Sequence, residues 1–173
     1  YGTYVNDGTL SGTGTLTTGD ETVTSWDAFI EAIEKSRANI YVNDDVALEA
    51  DVTIPVGTTV IVGSDSTHAT LSIPVNTKLT VNGSISQVDG MIEILSDGEL
   101  VNNGRIMVSG GSFGIDDAGS LVNNGEFDLS GTGYVTNSGS YEAGINAYFL
   151  FSDEEGADFS GIDAANVYYL ATV

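Results

Sequence analysis

The chain contains no cysteine, only two prolines, and four basic residues (Lys35, Arg37, Lys78 and Arg105) against 25 acids. Each shortage excludes something. With so few cations the formal net charge over 173 residues is −21, and no positive surface can be built for a phosphate backbone, so nucleic acid is excluded as a partner. The same deficit argues against anionic membranes and polyanionic substrates. No apolar run approaches the ~20 residues of a membrane span, so no membrane insertion is expected. Without disulfides the hydrophobic core must hold the fold alone, which a single domain of this length can do.

What is present narrows the class further. Hydrophobic residues make up 41% of the chain, too many for a disordered acidic tail. The chain opens on Tyr1 rather than Met and is read as a processed product from which a signal peptide has been removed. Few lysines, many Thr, Ser, Gly and Asn, and strong acidity point to an extracellular or cell-surface protein, although a cytosolic protein of a salt-loving cell would share the charge.

Internal repeats carry the fold assignment. Ile54-Pro55-Val56-Gly57-Thr58-Thr59-Val60 returns 19 residues later as Ile73-Pro74-Val75-Asn76-Thr77-Lys78-Leu79. A second motif, Lys78-Leu79-Thr80-Val81-Asn82-Gly83, recurs at Glu99-Leu100-Val101-Asn102-Asn103-Gly104 and Ser120-Leu121-Val122-Asn123-Asn124-Gly125, with offsets of 21 residues. A degenerate copy, Tyr134-Val135-Thr136-Asn137-Ser138-Gly139, follows after 14. These offsets predict three ladders of stacked residues. The first holds Val60, Leu79, Leu100, Leu121 and Val135. The second holds Ile54, Ile73, Ile94 and Ile115, and the third Ile85, Ile106, Phe127 and Tyr141. Apolar residues alternate within each unit, as strands require, and Gly and Asn close the strands, where positive φ is expected. Units this short cannot bury their own apolar rows. Stacked ~4.8 Å apart they share one core, which is a β-solenoid. Leucine-rich repeats have the same length but need more leucines per unit.

One segment differs. Trp26, Phe29, Ile30 and Ile33 fall on one helical face, Thr24 and Asp27 form an N-cap pair, and Lys35 and Arg37 suit the C-terminal dipole. A helix over 25–37 is predicted to cap the first coil, whose open end would otherwise expose core and backbone.

The run Ala38-Asn39-Ile40-Tyr41-Val42-Asn43-Asp44-Asp45-Val46, with Val52-Thr53-Ile54-Pro55-Val56-Gly57, resembles the capped opening of pectate-lyase-like right-handed parallel β-helices. The later Leu-x-Asn-x-Gly coils are similar to those of surface-protein and adhesin branches. The resemblance covers roughly residues 25–145 and implies right-handedness, which the repeats do not give. The expected fold is thus all-β: a short right-handed parallel β-helix of ~6 coils with an N-terminal capping helix and β segments at both termini. One domain is expected over 1–173, with an extension over 1–24, the helix over 25–37, coils over 38–145 and a C-terminal β segment over 146–173.

Chemistry is sparse. Pectin hydrolases of the resembled family carry Asn-Thr-Asp, Asp-pair, Gly-His-Gly and Arg-Ile-Lys segments. Only Asp pairs occur here, at Asp44-Asp45 and Asp116-Asp117, and no enzyme is expected. His68 reads as a solvated loop residue. Asp116, Asp117, Asp153, Glu154, Glu155 and Asp158 are weak calcium candidates in oxygen-rich turns, without an EF-hand or Asp-rich nonapeptide repeat. Calcium is a possible cofactor, and none is required. Asn102, Asn123 and Asn137 are expected to form a stacked amide row rather than a glycan-contacting one. Tyr134, Tyr141, Tyr148, Tyr168 and Tyr169 read as core or subunit-interface aromatics rather than a sugar-stacking surface. Asn82-Gly83-Ser84 is an N-glycosylation sequon.

The expected function is structural. Tyr1, Tyr4, Val5, Val167, Tyr168, Tyr169 and Leu170 supply apolar β segments at the two ends, suited to homopolymerisation by strand addition or end-to-end stacking. Two alternatives are an adhesin or glycan-binding module that contacts surface glycans or other surface proteins, and a degenerate polysaccharide lyase or hydrolase.

Overall fold

The computed structural model describes residues 19–129 and 133–144, together with the strand pairing of Tyr148–Phe151 and Val167–Tyr169. Strand β1 (Asp20–Val23) is followed by helix α1 (Trp26–Glu34) and then by seventeen short strands. These are β2 (Asn39–Val42), β3 (Val46–Ala47), β4 (Val52–Ile54), β5 (Thr59–Val62), β6 (Thr70–Ile73), β7 (Lys78–Val81), β8 (Ser84–Gln87) and β9 (Met91–Ile94). There follow β10 (Glu99–Asn102), β11 (Arg105–Val108), β12 (Ser112–Ile115), β13 (Ser120–Asn123), β14 (Glu126–Leu129), β15 (Tyr134–Asn137), β16 (Ser140–Ala143), β17 (Tyr148–Phe151) and β18 (Val167–Tyr169).

The chain winds through three parallel sheets in turn, making a right-handed β-solenoid of about six turns. The long sheet runs β1-β2-β5-β8-β11-β14-β17-β18. The second runs β3-β6-β9-β12-β15 and the third β4-β7-β10-β13-β16. Alternation explains each rung: in β7, Leu79 and Val81 are buried while Lys78 and Thr80 face outward. Parallel, in-register stacking then aligns like with like, as in Leu79-Leu100-Leu121 and Ile85-Ile106-Phe127. Phe113 and Phe127 meet edge to face across the core at 5.2 Å, so two sheets are tied by an aromatic pair.

Helix α1 fills the place that strands occupy in later coils. Phe29 and Ala32 are fully buried in the core, and Trp26, Ile30 and Ile33 pack against it. The expected cap is present, with two corrections. Its N-cap is Ser25, whose hydroxyl accepts from Ala28 N at 3.3 Å, not Thr24. Its last residue is Glu34 rather than 37, because Ser36 takes a positive φ of 52° and a Schellman motif closes the end. Ser36 N–H donates to Ile33 O and Arg37 N–H to Ala32 O. Lys35 and Arg37 turn to carboxylates: Lys35 pairs with Glu31 at 2.7 Å and Arg37 with Glu21 at 2.6 Å. The Arg37 guanidinium holds the Glu21 carboxyl below its ordinary range.

The ladders need revision where the sequence offsets crossed between sheets. Val60 stacks on Ile40 and Ile85 in the long sheet, and Val135 on Phe113 in the second, so neither joins Leu79, Leu100 and Leu121. Val52 and Tyr141 complete that row. Ile54 stacks on Val81, leaving Ile73, Ile94 and Ile115 as the second row. Phe149, not Tyr141, follows Phe127.

Two further expectations change. Gly83, Gly104 and Gly125 do not have positive φ; they are glycine because backbone carbonyls of the coil beneath approach where a Cβ would sit, Gly83 O under Gly104 and Gly104 O under Gly125. The expected positive φ is found at the other two corners, on Asn76, Asp97 and Ala118 and on Gly63, Gly90 and Gly111, and at Gly57 in the first coil. The C-terminal apolar stretches also fit the coils: β17 and β18 extend the long sheet in parallel register.

Candidate functional site

Of the six predicted calcium candidates, Asp116 and Asp117 lie among the described residues. Asp116 and Asp117 are exposed in the corner between β12 and β13, where Asp116 O accepts from Gly119 N and Asp117 O from Ser96 Oγ. Asp153, Glu154, Glu155 and Asp158 lie outside the described residues. Among the described residues, no three His, Cys, Asp or Glu side chains are grouped to hold a metal ion. Asp45 has a structural task, accepting the Thr70 N–H at 2.9 Å.

His68 has more company than its sequence context implied. Its Nδ1 lies 3.1 Å from Asp89 Oδ2, while Asp89 Oδ1 accepts from Gly90 N at 2.7 Å. Ser64 Oγ contacts Thr67 Oγ1 at 2.8 Å in the small excursion that precedes it, closed by an antiparallel bridge between Ser64 and Thr67. The dyad orients the imidazole. At 81% side-chain exposure, however, the ring stands in water.

Amide stacking is the most regular polar feature. Asn102 Nδ2 donates to Asn123 Oδ1 at 2.7 Å and to Glu126 O at 2.8 Å, both asparagines being fully buried. The expected row is real for these two. Asn137 stacks on Ile115 in another sheet and shares only the local bond from a glycine N–H two residues on. A second row was not anticipated. Asn103 Nδ2 donates to Asn82 Oδ1 at 3.0 Å and Asn124 Nδ2 to Asn103 Oδ1 at 2.9 Å, all three exposed at one corner. The doubled Asn102-Asn103 and Asn123-Asn124 at a 21-residue offset was the available signal.

Charge is also paired along the stack. Lys78 meets Glu99 at 2.7 Å across one rung, which raises the lysine pKa. Arg105 meets Glu126 and Asp128, each at 2.8 Å. Asp128 is a buried strand residue held by that arginine.

The tyrosines do not form one surface. Tyr134 is exposed on the second sheet, whereas Tyr141 is half-buried on the third against the core. Tyr148, Tyr168 and Tyr169 sit on β17 and β18 of the long sheet. Of the assembly candidates, Val167, Tyr168 and Tyr169 form β18, the last strand of that sheet. Tyr1, Tyr4, Val5 and Leu170 lie outside the described residues. Compared with protein-family models, with curated proteins and with solved structures, the chain matches none.

Proposed function

We propose that the chain is a non-enzymatic, extracellular structural protein that self-assembles into a filament, sheath or surface layer, using itself as partner. One observation carries the reading. The long sheet runs through every coil with all strands parallel, and its terminal strands, β1 and β18, have no second partner among the described residues. Opposite edges of a parallel sheet are complementary, so a head-to-tail contact repeats without closing and generates a polymer. The likeness to the surface-protein branch of pectate-lyase-like β-helices supports the same reading. Such an assembly needs no calcium, although a surface this acidic attracts divalent cations.

Imaging the intact chain beside one lacking residues 1–10 tests the route. Filaments from the intact chain that vanish on truncation support donation of the N-terminal segment. Filaments that persist reject strand donation and leave end-to-end stacking of the coils.

A further inference from the structure

We infer that Asn82 is an attachment site for an N-linked oligosaccharide, the amide nitrogen being the one that the exposed asparagine row leaves unused. Each asparagine in that row donates its Nδ2 backward to the preceding coil: Asn124 to Asn103, and Asn103 to Asn82. Asn82 has no such side chain beneath it. Its rung neighbour Val81 stacks on Ile54, so the residue beneath Asn82 is Pro55, which offers no side-chain acceptor. Asn82 Oδ1 is fixed by Asn103 while its Nδ2 has no partner among the described residues and faces solvent at an exposed corner.

Only this member of the row lies in an acceptor tripeptide. Asn82-Gly83-Ser84 is followed one coil later by Asn103-Gly104-Arg105 and then by Asn124-Gly125-Glu126, neither of which has the required hydroxyl. In the transfer, Asn82 Nδ2 bonds to the anomeric carbon of a polyprenyl-diphosphate-linked oligosaccharide. The carbon–oxygen bond to the diphosphate breaks, the diphosphate leaves with the electron pair, and the amide nitrogen loses one proton. The product keeps Oδ1 free to accept from Asn103, so the row survives modification.

The fold also dictates when the transfer occurs. Asn82 N and Gly83 N both donate to Ile54 O, at 2.9 and 3.1 Å, and Ser84 N donates to Thr58 O at 2.9 Å. All three amides of the tripeptide are tied to the coil beneath, and the flanking residues are in β7 and β8. A transferase cannot draw that segment into its site once the coil has formed, so the sugar is added to the unfolded chain and then carried into the fold. The inference draws on the extracellular reading for access to the transferase, yet its outcome is independent of whether copies polymerise.

The full chain, bearing an appended reporter sequon after Val173, is secreted from a host with an N-oligosaccharyltransferase and captured through the reporter glycan. Intact and peptide masses then count second glycans in molecules already known to have met the enzyme. Most captured molecules are expected to carry one at Asn82, with complete loss in Asn82→Gln and Ser84→Ala and retention in Asn103→Gln. Refolded, unmodified protein is expected to be at least tenfold slower as an acceptor than a peptide spanning residues 78–87. An unmodified Asn82 in captured wild-type molecules, or a second glycan that persists in Ser84→Ala, would overturn the assignment.

Discussion

Asn102 and Asn103 are neighbours in sequence and opposites in surroundings. Asn102 is fully buried and makes three bonds, to Asn123 Oδ1, Glu126 O and Gly104 N, whereas Asn103 is the middle member of an exposed row. Replacing Asn102 with Ala removes a buried amide and leaves the part-buried Gly104 N and Glu126 O without it, and is expected to cost about 2–3 kcal/mol, against under ~1 kcal/mol for Asn103→Ala, as read from urea midpoints. The glycines separate in the same way. Gly57→Ala places a side chain in open space at φ 88° and is expected to cost about 1–2 kcal/mol. Gly104→Ala drives a Cβ into Gly83 O, and the coils must part, so a loss of about 3 kcal/mol or more is expected. Tyr141 adds a pH signature. Burial pushes its phenol well above the ordinary value, with the neighbouring Asn123 side chain acting in the opposite direction. The folded protein therefore keeps a proton that the unfolded chain releases. That stability is present below about pH 10 and is lost as pH rises. Thermal midpoints of the wild type should fall more steeply above that pH than those of Tyr141→Phe. At this scale the sequence revealed Asn102 over Asn123, because both residues and their offset repeat. It hid Asn137, whose Asn-x-Gly turn has the same local bond at a different corner.

Elements were legible to different degrees. Trp26, Phe29, Ile30 and Ile33 marked the helix and its buried face, because nothing else in the chain has helical spacing. The cap was displaced by one residue, since Thr24 and Ser25 both qualify and only the hydroxyl position separates them. Ser25→Ala should lower stability by about 1 kcal/mol, and Thr24→Ala should change it far less, as thermal unfolding of the two variants would show. Strands were legible from alternation, and coils from the 21-residue offset. Their assignment to sheets was not. The motif Ile-Pro-Val occurs once at a corner from the third sheet to the long sheet and once at a corner from the second to the third. The rungs from β3, β4 and β5 to β6, β7 and β8 lie 25 or 27 residues apart, because of the Ser64–Thr67 excursion and the longer corner at Pro55–Thr58. Equal corner chemistry at unequal spacing made sequence similarity a poor guide to which residues stack.

Across the whole molecule, all four basic side chains are engaged by carboxylates: Lys35 and Arg37 by Glu21 and Glu31, Lys78 by Glu99, and Arg105 by Glu126 and Asp128. Little positive charge remains to offset a net −21 as two copies approach. Repulsion between acidic surfaces extends over roughly 30 Å at 0.01 M salt and about 8 Å at 0.15 M, so assembly through the sheet ends should be opposed at low ionic strength and promoted by salt or divalent cations. In the proposed assembly, the same acidity sets when the sheet ends meet. The most direct measurement is the mass of the intact chain by light scattering at neutral pH, followed as salt is raised from low to physiological strength. Head-to-tail assembly predicts a mass that grows with protein concentration and salt without settling at a small fixed multiple. A monomer of unchanged mass across the whole range would contradict it.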